Sequence, residues 1–143
     1  MVETGYKITE DQIITRVAEG AIAFADGAWY APVIEGTSTD QIKAATDSAA
    51  TVVGFVKKPT EKDSIEDGDA CSVVLVGLIK IPANGAVTIN DFLEVHSTVT
   101  QVATLTPDTT SAATLLADLK KCVAIAKSSQ AATGNIWVQI GRR

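Results

Sequence analysis

Histidine is almost absent from this chain, and His96 is the single copy. A catalytic triad or a histidine general base would have to be built on that residue. It stands in Val95-His96-Ser97-Thr98, which reads as a strand end or turn, so a structural or surface role is expected. Cysteine is scarce as well. Cys71 and Cys122 form no C-x-x-C pair and no metal-ligand spacing. They read as two reduced thiols in a core, and a disulfide is the alternative that an oxidising compartment would require. Aromatic residues are only 5% of the chain, so a core must come mainly from Val, Ile, Leu and Ala. Long apolar runs are missing. The strongest, Ala70 to Ile79, is about half the roughly 20 residues of a spanning helix. The opening MVETGYKITEDQ is charged and has no apolar stretch, so a secretory leader is not expected and production inside a cell fits best. Basic charge is also short. Twelve Lys and Arg face 17 Asp and Glu, for a net charge of −5. That excludes general nucleic-acid binding, which needs cations in excess along one face. It equally excludes a polybasic membrane-surface role.

Catalytic and cofactor motifs are missing too. There is no G-x-S-x-G elbow, no GxxxxGK[ST] phosphate loop and no GxGxxG. The acidic loop Asp63-Ser64-Ile65-Glu66-Asp67-Gly68-Asp69 can be tested as a calcium loop. With Gly68 at the sixth position, Asp63, Asp67 and Asp69 fall on ligand positions one, five and seven. Ile65 and Val74 then occupy positions three and twelve, where oxygen ligands are needed, so an EF-hand is rejected. A solvated loop is the default. Lys57, Lys58 and Lys62 sit beside it and read as locally paired surface charge, or as a contact patch for an acidic partner. The expectation is a protein that is not an enzyme and carries no cofactor and no metal.

What is present is a chain of 143 residues, 46% hydrophobic, which suits one domain with a real core. Residues 1–12 read as an extended N-terminal arm, and 13–143 as a single β domain. Short apolar and β-branched runs follow the arm, separated by turn signals. Ala25-Asp26-Gly27 is a hairpin-type turn, and Asn84-Gly85 and Asn90-Asp91 are further turns. Pro32 places the run from Trp29 to Ile34 on a sheet edge. Cys71 to Ile81 is the clearest strand, with Gly77 as a candidate bulge. One stretch has helical spacing: Ala112, Leu115, Leu116, Leu119, Cys122 and Val123. Capping oxygens from Asp108 to Ser111 precede it, which predicts one short helix over 110–121. A further helical turn is possible near Asp47 to Ala50. The fold class is therefore mainly β, as a small barrel or a sandwich.

A weak internal echo runs through the chain. Trp29 to Val33, Gln41-Ile42 and Val52 to Val56 can be laid over Phe92 to Val95, Gln101-Val102 and Cys122 to Ala126. Gly68 before Cys71 to Val76 then matches Gly134 before Ile136 to Ile140. The helical stretch becomes an insertion in the second copy. Chance similarity between Val-, Ala- and Thr-rich strands is the competing explanation. Trp29 and Tyr30 are adjacent, so in a strand they face opposite sides, one toward the core and one outward. They are the candidate interface residues, and Trp137 is ambiguous in the same way.

The order of these features resembles the capsid decoration, or cement, proteins of tailed bacteriophages and related viruses. The features are Gly20 to Gly27, Val53-Gly54-Phe55-Val56, Gly68-Asp69 before a long apolar strand, Asn90-Asp91-Phe92-Leu93, and Val123-Ala124-Ile125-Ala126 before Gly134. Phe55-Val56 stands where that family has a small pair, and Ala124 where it has a glycine. The resemblance implies a small β-barrel or β-tulip-like domain. It implies a virion protein on the outer capsid surface, made in the host cytoplasm. As a homotrimer it would clamp subunits of the major capsid protein in the expanded shell. It also implies an arm that orders on the capsid, so Val2, Glu3, Thr4, Gly5, Tyr6, Lys7 and Ile8 become the expected capsid-binding residues. The alternative is a carbohydrate-type ligand-binding β module, with Trp29, Tyr30 or Trp137 as the stacking platform.

Overall fold

The computed structural model describes residues 7–25, 27–45, 51–96 and 101–141. The expected arm residues Val2, Glu3, Thr4, Gly5 and Tyr6, and the expected turn of helix at Asp47 to Ala50, lie outside the described residues. The protein is mainly β. Its strands are β1 (Thr9–Ala18), β2 (Ile22–Ala23), β3 (Tyr30–Glu35), β4 (Gln41–Ala44), β5 (Val52–Lys57), β6 (Ser64–Ile65), β7 (Ala70–Ala83), β8 (Phe92–Val95) and β9 (Val102–Thr104), followed by β10 (Ala124–Ala126) and β11 (Gly134–Ile140). One helix, α1 (Ala112–Leu119), lies between β9 and β10.

Nine strands form one sheet in the order β1-β4-β3-β5-β7-β11-β10-β8-β9, and β2 and β6 form a separate pair. The strands do not close as a single barrel, as the sequence led us to expect. The reason is the length of β7, which changes neighbours partway along. Its first part pairs with β1 on one edge and β5 on the other, and its last part pairs with β11 and β9. Each set of neighbours returns to β7, so the sheet curls back on itself twice.

The two curled halves repeat one pattern of pairing. In the first, β3 pairs antiparallel with β4 and with β5, and β5 pairs antiparallel with β7. In the second, β8 pairs antiparallel with β9 and with β10, and β10 pairs antiparallel with β11. Parallel pairing occurs once in each half and at matching places. Ala18 of β1 lies beside Ile42 of β4, and Ala83 of β7 lies beside Val102 of β9. The β2–β6 pair has its counterpart in an isolated bridge between Val87 and Gln130. Two residues beyond each alanine stands a glycine with left-handed backbone, Gly20 at φ +79 and Gly85 at φ +83. The echo in the sequence is thus a structural repeat.

The register sharpens the match. Gln41-Ile42 does fall on Gln101-Val102, and Val52 to Val56 on Cys122 to Ala126, because Phe55 opposes Val74 as Ile125 opposes Gln139. The β3 equivalence moves. Glu35 opposes Ile42 as Val95 opposes Val102, so Pro32 to Glu35, rather than Trp29 to Val33, matches Phe92 to Val95. The interior follows the same correspondence. Ala18, Ile22, Val33, Ile42 and Val56 are buried in one cluster, and Ala83, Val87, Leu93, Val102 and Ala126 in the other. Phe55, Val74 and Tyr30 of the first half are buried in the second cluster, which fuses the halves.

Three further expectations are corrected. β1 begins at Thr9, so residues 9–12 of the expected arm belong to the ladder on β7. β3 lies between β4 and β5 and is not an edge strand. Pro32 is tolerated because its carbonyl accepts from Ala45 N–H at 3.0 Å, so its nitrogen faces the same side, beyond the last β4 rung. The turn before β3 forms, with Ala28 N–H donating to Ala25 O at 2.9 Å, but it joins strands that do not pair with each other.

Candidate functional site

The two candidate aromatics part company at the start of β3. Tyr30 begins the strand and is 1% exposed. Its hydroxyl donates to Glu10 Oε2 at 2.6 Å, and Lys57 Nζ holds the other Glu10 oxygen at 3.3 Å. Burial and then the Glu10 carboxylate push the Tyr30 phenol well above its ordinary range. Tyr30 therefore ties β1, β3 and β5 together and offers no contact surface, contrary to its expected interface role. Trp29, one residue earlier, is 51% exposed. Lys58 Nζ stands 5.2 Å from its ring centroid, and Lys58 N–H donates to Trp29 O at 2.8 Å. Lys58 also reaches Asp63 at 3.6 Å. Trp137 takes the inward role: it is 8% exposed, opposite Lys80 in the β7–β11 ladder.

The acidic loop does not converge on a cation. Asp67 Oδ1 accepts from Gly20 N–H at 2.8 Å, and Asp69 Oδ2 accepts from Glu66 N–H at 3.0 Å. Lys62 lies 3.6 Å from Asp69. These carboxylates hold a turn closed by Gly68, whose N–H donates to Ala18 O at 2.9 Å. Among the described residues, no group of three His, Cys, Asp or Glu side chains is placed to hold a metal ion. Each lysine of the basic cluster is locally paired: Lys57 with Glu10, Lys58 with Asp63, Lys62 with Asp69.

His96 follows the last residue of β8, and its backbone N–H donates to Gln101 O at 2.8 Å. Both cysteines are free thiols. Cys71 is buried, and its Sγ donates to Arg16 O at 3.3 Å; burial raises its pKa and disfavours the reactive thiolate. Cys122 is half-buried and donates to Ala124 O at 3.4 Å.

Four of the large exposed apolar side chains fall at two places, the start of β1 and α1. Ile8 and Ile13 stand outward at the N-terminal end of β1, and Lys7 beside them is also exposed. Leu116 and Leu119 stand outward on α1. That helix is capped as expected, with Ser111 Oγ accepting from Thr114 N–H at 3.2 Å, yet none of its residues is buried. Two features of this surface were not anticipated from the sequence: Glu10 as the partner of Tyr30, and Ile13 as an outward residue. The polar alternation of Thr9, Asp11 and Thr15 around it was the available signal.

No protein family matches this sequence, and no curated protein matches it. Among solved structures, the fold is similar to that of the N base of the head fiber gp8.5 of bacteriophage phi29. The likeness has a TM-score of 0.53 and covers 90% of this chain and 92% of that one. The identity is 12%, so what the two chains share is the fold.

Proposed function

We propose that this chain is a structural protein of a phage virion that binds the outer surface of the expanded capsid and braces neighbouring major capsid protein subunits. One observation carries the reading: the fold extends over nine-tenths of both this chain and the base of a phage head fiber. A base of a head fiber is a part that meets a head, and the sequence independently resembles capsid decoration proteins. The paired surface lysines, the buried Cys71 thiol and the acidic net charge are all compatible with a binding protein that performs no chemistry. The finer parts of the proposal are a homotrimer on the shell and docking through the arm from Val2 to Ile8.

Co-sedimentation with expanded, undecorated shells tests it. The expected result is saturable binding at near-equimolar ratio to the major capsid protein, with shells that then resist heat better. Deleting residues 2–8 should abolish that binding while leaving the fold intact by circular dichroism. Absence of binding by the intact protein would overturn the proposal. The exposed Trp29 ring over Lys58 favours one other reading, a carbohydrate-type ligand site. In that case glycans, not shells, would quench the fluorescence of Trp29.

A further inference from the structure

One edge of β7 is shared by two strands, and a cavity lies where the first hands over to the second. β5 pairs with that edge at Val73 and Val74, and β11 takes it up from Gly77 onward. Neither ladder has a rung at Leu75 or Val76 on that edge. The start of β5, from Val52 to Gly54, stands off β7 there. It faces the stretch between α1 and β10 across a cavity of about 230 Å³. The walls come from corresponding residues of the two halves: Val52 and Cys122, Val53 and Val123, Leu75 and Ile140. Five of these six side chains are aliphatic. Thr51, Lys120 and Gly141 also line the cavity and are exposed, which places the mouth beside them. Lys120 differs there from its neighbour. Lys121 is held by Asp118 at 3.1 Å, but among the described residues no carboxylate pairs with Lys120.

We propose that this cavity binds a short aliphatic carboxylate, its tail between the two halves and its head at Lys120. Interiors leave few voids larger than a water molecule, so a space of this size with aliphatic walls is a place for an apolar body. An apolar cavity of about 150 Å³ takes benzene, and by that measure this one takes a tail of about six to eight carbons. The tail gains by leaving water. The head stays at the mouth, where it keeps part of its hydration and accepts a charge-assisted hydrogen bond from the Lys120 ammonium. One cation matches one negative charge, which favours a carboxylate over a phosphate monoester, whose second charge would have no partner. Because the walls belong to both halves, the bound tail ties the start of β5 to the stretch that enters β10. The site uses neither the arm nor Trp29, so it stands apart from the capsid-binding proposal and is tested without shells.

Titration of the intact, nitrogen-15-labelled protein with octanoate, followed by amide NMR, is the test. The expected result is a set of saturable shifts confined to the lining, with Val53, Leu75 and Val123 among the largest. The half-buried Cys122 thiol is a second reporter. At ten times the dissociation constant its reaction with iodoacetamide should slow about tenfold, because only the unliganded fraction reacts. Acetate, a head without a tail, should produce neither effect. Octan-1-ol, a tail without the charge, should bind more weakly than octanoate. Lys120→Gln should remove that difference, and since Lys120 is exposed the variant keeps its fold. Val53→Phe puts a ring into the cavity and should abolish the shifts. No saturable shift with octanoate overturns the proposal. So do shifts that Val53→Phe leaves intact, or a preference for octanoate over octan-1-ol that survives Lys120→Gln.

Discussion

At the scale of single residues, the informative case is Tyr30. Its hydroxyl is buried against Glu10, a residue twenty positions earlier, and the phenol is held well above its ordinary range. The proton is bound more tightly in the folded chain than in the unfolded one. The stabilisation is therefore complete below about pH 10, the ordinary phenol value, and is lost as pH rises above it. Tyr30→Phe should cost about 1.5–3 kcal/mol at neutral pH, the usual range for a hydrogen bond to a charged group. Its urea midpoint should also fall less steeply than the wild type's above pH 10. Equal slopes for the two proteins would mean that Tyr30 ionises normally. The sequence showed that Trp29 and Tyr30 face opposite ways, because alternation in a strand requires it. It could not show which faced inward. That depended on Glu10, a charge that composition alone assigns to solvent.

At the scale of elements, the long strand was legible and its partners were not. The apolar run from Cys71 to Ile81 exceeds what one packed face needs, and β7 does serve two halves. Gly77 marks the changeover. A Cβ there would collide with the carbonyl of Thr9, so β1 approaches β7 at that point only because the side chain is absent. Gly77→Ala should cost about 1–3 kcal/mol, as other insertions into a packed site do. Amide exchange should quicken along β1, with β11 less affected. Exchange that quickens equally on both strands would refute the Thr9 contact as the cause. The register between β1 and β7 shifts twice, once at Asp11 of β1 and once at Leu75 of β7, close to the Gly77 that the sequence singled out. The helix was legible from its cap and its spacing. Its burial was not, since the apolar spacing of Leu115, Leu116 and Leu119 predicts a covered face and α1 has none. Pro32 misled for a related reason: a missing N–H forbids a rung, not an interior position, and here the rung it would have made lies past the end of β4.

At the scale of the whole molecule, the repeat explains why strands counted in the sequence did not arrange as one barrel. Each half encloses its own apolar cluster, yet Tyr30, Phe55 and Val74 of the first half pack into the cluster of the second. The halves should accordingly melt together. Trp29 reports on the first half and Trp137 on the second, so Trp29→Phe and Trp137→Phe leave one reporter each. Both should give the same urea midpoint once each variant's own stability is allowed for by circular dichroism. A fluorescence midpoint that departs from the dichroism midpoint in either variant would reveal two independently folding halves. The correspondence between halves was partly visible in Gln41-Ile42 against Gln101-Val102. The shift at β3 was not, because residues 25–32 and 88–92 differ in loop length and only the ladder fixes the register.

The arrangement around β7 also sets how the protein bears a pull. Thr9 at the start of β1 and Ile140 at the end of β11 stand side by side across β7, at Leu78 and Gly77. Both strands run antiparallel to β7, so Thr9 opens one where Ile140 closes the other. Tension between the two ends drags β1 and β11 past β7 lengthwise. The rungs of both ladders are then strained together, in shear, and none can be peeled open ahead of the others. A protein fastened at those two points would resist stretching like a lap joint, along the strand axis.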